Sequence, residues 1–175
     1  MIHIIRLDRI ATPHRDLVTR STGAIVRAGI ERAIAEARCR AALLDFSAVG
    51  LIDFSCADEI VAKLLRAAGP AAEWYLLLGG LKEDHLEAID QVLGRQGLAV
   101  AAVERRGAPP RLLGHTNPDL CVAFERVHAL GPGDALLLAL ALDWTLERAA
   151  DALQTLALLR LVHAREGRYE PVWVV

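Results

Sequence analysis

Four short apolar runs, Ile2–Leu7, Ala41–Phe46, Glu73–Leu78 and Ala99–Val103, alternate with segments whose apolar residues recur at helical spacing. Runs of this length bounded by turn residues read as buried strands. Between the first two, Ile25, Val26, Ile30, Ala33 and Ile34 fall on one face of a helix over 23–37, with Arg27, Glu31, Arg32 and Glu36 outside it. Ile60, Val61, Leu64 and Leu65 repeat the pattern over 57–68, closed by Gly69-Pro70, and 83–93 forms a third amphipathic helix ending near Gly94–Gly97. Strands that alternate with covering helices close into an α/β sheet with parallel pairs joined by right-handed crossovers.

The rhythm changes after Val103. Arg105-Arg106-Gly107-Ala108-Pro109-Pro110 breaks the pattern, and two prolines after a glycine argue for a linker, placed at 107–113 between domains at 1–106 and 114–175. Asn117-Pro118 introduces a helix over 119–130, Gly131-Pro132-Gly133 stops it, and Asp134 caps a very apolar helix that runs to Leu142. Trp144–Leu158 is the third helix, and Leu161–His163 and Tyr169–Val175 read as two short strands around Glu166-Gly167. Helices followed by a hairpin resemble a winged helix-turn-helix, an order that also serves protein contacts and dimerisation. The leucine-rich segment 135–142 suits a buried core or a homodimer interface equally.

Composition removes several classes of function. With 175 residues, 54% of them apolar, the chain can bury a sizeable core as one domain or two small ones. Residues 1–110 carry 14 basic and 14 acidic side chains and residues 111–175 carry 6 and 8, for a net charge of −2. No overall field therefore recommends nucleic acid or an anionic membrane. Cys39, Cys56 and Cys121 show no CxxC spacing, so neither a zinc site nor a disulfide framework is indicated and a cytoplasmic location is the simplest. MIHIIRLDRI carries charges within its first ten residues and no long apolar stretch, so it reads as a strand rather than a signal peptide, and the longest apolar run, 135–142, is too short to cross a bilayer. The histidines are scattered, Gly79-Gly80 lacks a phosphate-binding continuation, and no nucleophile–base spacing stands out, so no metal, cofactor or enzymatic activity is expected. Asp84, His85 and Glu87 invite an acid/base reading but lie at a helix start, where such residues belong.

The functional signal is concentrated in Ala41–Leu65, AALLDFSAVGLIDFSCADEIVAKLL. A helix begins just after Asp53-Phe54-Ser55, with Asp58 and Glu59 in its first turn complementing the helix dipole. Ser55 is expected at the N-cap, where a hydroxyl accepts from an otherwise unpaired backbone N–H. A phosphoryl group there would meet those N–H donors, yet it would add roughly −1.5 to −2 charges beside Asp53 and Asp58, which favours release of a bound partner. The plainer reading is that Ser55 only caps the helix. Cys56 beside the same helix start fits either a redox-active thiol or a small buried apolar residue.

These residues resemble the signature of a STAS domain. In the anti-sigma factor antagonists of that family the loop carries Asp-Ser-Ser-Gly, whose second serine is phosphorylated. Aligned on Asp53, that serine corresponds to Ser55, with Phe54 and Cys56 replacing the first serine and the glycine. A STAS-like family is closer: its Ser-Phe-Ala-Asp-Glu-Leu run resembles Ser55-Cys56-Ala57-Asp58-Glu59-Ile60, and its Thr-Arg-x-x-Gly element is similar to Thr19-Arg20-Ser21-Thr22-Gly23. The resemblance covers 1 to about 106 and implies a mixed sheet with helices mainly on one face. It also implies bacterial signalling through regulated protein–protein binding, with an anti-sigma factor or kinase-type ATPase as partner. Asp53, Phe54, Ser55, Cys56, Asp58 and Glu59 would then form the contact surface, and Ser55 phosphorylation would release the partner. The winged-helix resemblance implies an alternative, a transcriptional regulator that holds DNA through Arg160, Arg165 and Arg168. Against it, the polar face of 144–158 sets Glu147 and Asp151 beside Arg148, which opposes phosphate contact.

Overall fold

The computed structural model describes residues 2–11, 15–69, 74–103 and 110–172. The polar stretch at Pro13-His14, the helix stop at Pro70, the start of the strand at Glu73, the linker at 107–109 and the strand end at 173–175 lie outside these residues.

A five-stranded mixed sheet organises the chain. Its strands run in sequence order, β1 (Ile2–Arg6), β2 (Ala41–Asp45), β3 (Tyr75–Gly79), β4 (Ala99–Val103) and β5 (Arg111–Gly114). The first four are mutually parallel, and β5 turns back antiparallel to β4. The expected linker is thus corrected over 111–113: these residues are strand, because Leu112 and Leu113 alternate onto the two faces of the sheet and each finds an apolar core.

On one face, Ala42, Leu44, Leu76, Leu78, Val100 and Ala102 pack against α2 (Arg20–Ala37), the helix Phe54–Ala67 and α5 (Glu83–Arg95). The alternate residues Ala41, Leu77, Ala99 and Ala101 pack on the other face against α6 (Pro118–Leu130), α7 (Ala135–Leu142) and α8 (Leu146–Leu158). Helices therefore cover both faces rather than mainly one. The cause is legible in the strands, which are apolar at consecutive positions as parallel strands buried on both sides must be. For the same reason the expected separation into domains at 1–106 and 114–175 gives way to two cores that share one sheet. The short α1 (Leu7–Ile10) follows β1 and buries Leu7 in the first core.

The helix Phe54–Ala67 is compound: α3 (Phe54–Ala57) leads into a π turn over Asp58–Ala62 and continues as α4 (Lys63–Ala67). Caps set the helix starts. Thr19 accepts from Thr22 N, so α2 begins three residues before the expected Gly23, while Thr145 caps α8 and Asp134 caps α7. The chain ends in the antiparallel hairpin β6 (Val162–Arg165) and β7 (Arg168–Pro171), closed by Glu166 and Gly167, both at positive φ as a two-residue turn of primed type requires. Gly133 and Tyr169 exchange backbone hydrogen bonds, which adds a third short segment to the hairpin. No described helix is long and apolar enough to cross a membrane.

Candidate functional site

The loop before the helix Phe54–Ala67 is fastened from two sides. Leu17 N donates to Leu51 O and Asp53 N to Leu17 O, forming a parallel bridge between Leu17 and Ile52. Leu17 and Ile52 both turn inward across this bridge, and Leu51, whose side chain alternates to the opposite side, is 53% exposed. From α5, Lys82 Nζ donates to Val49 O at 2.7 Å. His85 is fully buried; its Nδ1 accepts from Lys82 N, which leaves the proton on Nε2 to donate to Gly50 O at 3.0 Å. His85 therefore holds the loop in place.

The N-cap is Asp53, not Ser55. Asp53 has the extended backbone of a cap and its Oδ1 accepts from Cys56 N at 2.8 Å. Ser55 lies two positions into the helix, and its hydroxyl donates to Asp53 Oδ1 and Oδ2 at 2.8 and 3.1 Å. A carboxylate offers more lone pairs than a hydroxyl, so Asp53 satisfies the backbone amide and Ser55 together. Expecting Ser55 at the cap missed this because both residues favour that position.

Two sequence segments meet behind the cap. Thr19 begins α2, and its carbonyl accepts from Cys56 Sγ at 2.9 Å. Four residues on, Gly23 sits so close to the π turn that a Cβ would lie 2.9 Å from Glu59 Cβ and 3.3 Å from Cys56 Cα. Arg20 Nη1 bridges Asp58 Oδ2 at 2.9 Å and Glu59 Oε2 at 3.3 Å. Arg27 Nη2 donates to Glu59 Oε1, Lys63 Nζ to Glu59 Oε2, and Gln96 Nε2 to Asp58 Oδ1. Glu59 is only 3% exposed, so one buried carboxylate is answered by three cations. Lys63, followed by Arg27, holds the Glu59 carboxyl below the usual range, and the amide of Gln96 with Arg20 does the same for Asp58. Carboxylates held this low are poor bases at neutral pH; the cluster locks α2 to the π turn. Such turns recur at functional sites.

Helical register sorts the expected contact residues. Phe54 is 52% exposed, and Asp53, Ser55 and Asp58 are partly exposed, whereas Cys56 and Glu59, three apart on the inner face, are buried. Those last two leave the surface. Burial, reinforced by the charge of Asp53, pushes the Cys56 thiol up to about 11, so it is protonated at neutral pH and unsuited to redox sensing. Val18, not singled out in the sequence, and Leu51, expected to re-enter the core with Ile52 but turned outward by the alternation of the bridged segment, join Phe54 as exposed apolar residues. The missed residues of the buried cluster are Arg20, Arg27, Lys63 and Gln96; the i,i+4 spacing of Glu59 and Lys63 was the one local signal for it.

At the other end of the chain, Arg160 Nη2 donates to Trp74 O at 2.6 Å and its guanidinium lies 4.6 Å from the centre of the Tyr75 ring. Arg165 and Arg168 remain exposed at the hairpin turn, the former 3.6 Å from Glu166. On α8, Arg148 is gripped by both oxygens of Asp119 and stacks over Trp144. The expected trio of DNA-contacting arginines is therefore not one patch. Among the described residues no cluster of histidine, cysteine and acidic side chains has the make-up of a metal site. No family model matches the chain, and neither the curated proteins nor the solved structures contain a significant match.

Proposed function

We propose that this chain is a cytoplasmic bacterial signalling module that binds a protein partner through the Ser55 end of the molecule, in the manner of an anti-sigma factor antagonist. The observation that carries the reading is the partly exposed Ser55 hydroxyl, hydrogen-bonded to the capping carboxylate of Asp53 and flanked in the fold by exposed Val18, Leu51 and Phe54. An apolar surface with a modifiable hydroxyl in its midst is what a regulated contact needs. The partner in this reading is an anti-sigma factor or a kinase-type ATPase. A phosphoryl group on Ser55 would stand within reach of Asp53, and like-charge repulsion would undo the cap at the same time as it charges the contact surface. The interlock of Thr19–Gly23 with Cys56–Glu59 supports the STAS-like assignment, since the two elements on which that resemblance rests are in direct contact.

Helix, bridge segment, two helices and a hairpin is the element order of a winged helix, and we assign this part to protein contact. Arg148 is engaged by Asp119, and Arg160 lies away from the hairpin turn, which leaves little cationic surface for a nucleic-acid backbone. The test is affinity capture from the native lysate with Ser55→Ala and Ser55→Asp. The alanine variant is expected to retain the wild-type partner and the aspartate variant to lose it. Equal recovery on both would sink the switch, and recovery of DNA instead would favour the regulator.

A further inference from the structure

Resting on the reading of Ser55 as a phosphorylated switch, we propose that Arg20 receives the phosphoryl group and leaves Asp58 to do so, which adds a second negative charge to the contact surface. Ser55 and Asp58 stand three residues apart in the helix Phe54–Ala67, hence on one face and about 4.5 Å apart along the axis. Both are partly exposed. Asp58 holds Arg20 Nη1 through Oδ2 at 2.9 Å. The base of the Arg20 side chain is fixed beside the same turn, because the carbonyl of Thr19 accepts from Cys56 Sγ at 2.9 Å and Cys56 follows Ser55 in the chain. A guanidinium anchored next to Cys56 and ending at Asp58 has a phosphoryl group on Ser55 within its sweep.

Three features make Arg20, rather than Arg27 or Lys63, the cation that can change partner. Its side chain is 59% exposed, against 27% for Arg27 and 38% for Lys63. Its contacts among the described residues run through Nη1, so the remaining donors of the fork can grip a phosphate in bidentate fashion. Its departure orphans neither acid, since Glu59 keeps Arg27 and Lys63 and Asp58 keeps the amide of Gln96. A phosphate of about −1.5 to −2 charges also attracts an arginine more strongly than a single carboxylate does. The modification forms the Oγ–P bond and breaks the bond from the γ-phosphorus to the bridging oxygen of a nucleoside triphosphate, releasing the diphosphate and giving the hydroxyl proton to solvent. It also removes the hydrogen bond from Ser55 to Asp53, whose carboxylate repels the new charge, and Arg20 holds the phosphate against that repulsion.

The test is a phosphorus NMR titration of the full chain with Ser55 replaced by phosphoserine during synthesis, so that no kinase is required. The second ionisation of the phosphate, about pH 6 when unperturbed, is pushed up by Asp53, Asp58 and Glu59 and down by Arg20. Arg20→Gln should therefore raise it by about half a unit or more. Arg32→Gln, which removes an exposed arginine further along α2, should leave it in place. In the phosphorylated chain with Arg20 intact, the guanidinium signals of Arg20 should shift more than those of Arg27 and Arg32, a readout that needs no second substitution to fold. An unmoved titration in Arg20→Gln, an equal rise in Arg32→Gln, or an unshifted Arg20 guanidinium would overturn the assignment. Partner capture reports separately on the switch: a phosphorylated chain that keeps its partner defeats the Ser55 switch and leaves the Arg20 contact standing, whereas an unmoved titration defeats the contact alone.

Discussion

The two faces of the sheet are filled by different kinds of interaction. Against α2 and the helix Phe54–Ala67, the first core contains a buried carboxylate with three cationic partners, a buried histidine and a loop held by side chain to backbone bonds. Against α6, α7 and α8, the second core is apolar, with its ion pairs at the rim and with Leu136, Leu140, Leu146 and Leu158 still exposed. Apolar fill tolerates shifts and substitutions of similar volume, whereas a buried ion cluster admits one arrangement. The side that carries the proposed switch is thus the side whose geometry is fixed by charge.

The sharpest way to break this comparison is to strip the cations from Glu59. Arg27→Met with Lys63→Met leaves a buried carboxylate with Arg20 alone, and a loss of about 3 kcal/mol in denaturant unfolding is expected. Glu59→Gln should cost less, about 1–2 kcal/mol, because the cationic side chains reach solvent while the carboxylate does not. If the glutamine variant were the more damaging of the two, the carboxylate would not be the group that needs its partners. Since the Glu59 carboxyl is held below its usual range, its contribution is present above that range and is lost as the pH falls through the folded value.

Acid reaches the second core by another route and at higher pH. His128 on α6 has its ring 4.6 Å from that of Phe124, and burial pushes its pKa from 6.5 down to about 4. The unfolded chain then binds the proton first, so stability is complete above about pH 6.5, declines towards pH 4 and is flat below. With allowance for solvent screening the loss is about 2 kcal/mol. His128→Leu should flatten the pH 4–6.5 limb and leave the decline at lower pH; a limb of unchanged depth would assign it to other groups.

How far the sequence foretold this architecture follows the same division. Strand and helix order was readable because each run matched its period, and β4 was placed at its observed limits, Ala99–Val103. Coverage of the second face was not, because consecutive apolar residues in β2 and β4 were read for burial but not for the partner that a second buried face requires. A short strand such as β5 after two prolines carries too few residues to outweigh the turn signal. At the site, Asp53, Ser55 and Phe54 were visible as a helix start, while the roles of Arg20, Arg27 and Gln96 depend on contacts 32 to 39 residues apart that no local pattern encodes.

The smallest effect is expected where the ion-pair geometry is best. Arg148 meets Asp119 through Nε and Nη2 at 2.8 and 2.7 Å and stacks 4.1 Å over Trp144, closing α8 onto the first turn of α6. Both side chains are nonetheless about half exposed, so the Coulomb gain is screened and offset by the entropy of holding two long chains still. Asp119→Ala should move the melting temperature by no more than about 2 °C. Half a molar of salt should reduce that shift further, because the pair faces solvent. A drop comparable to that of the Arg27 and Lys63 double variant would mean that charge also fixes the second face, and the contrast between the two cores would fail.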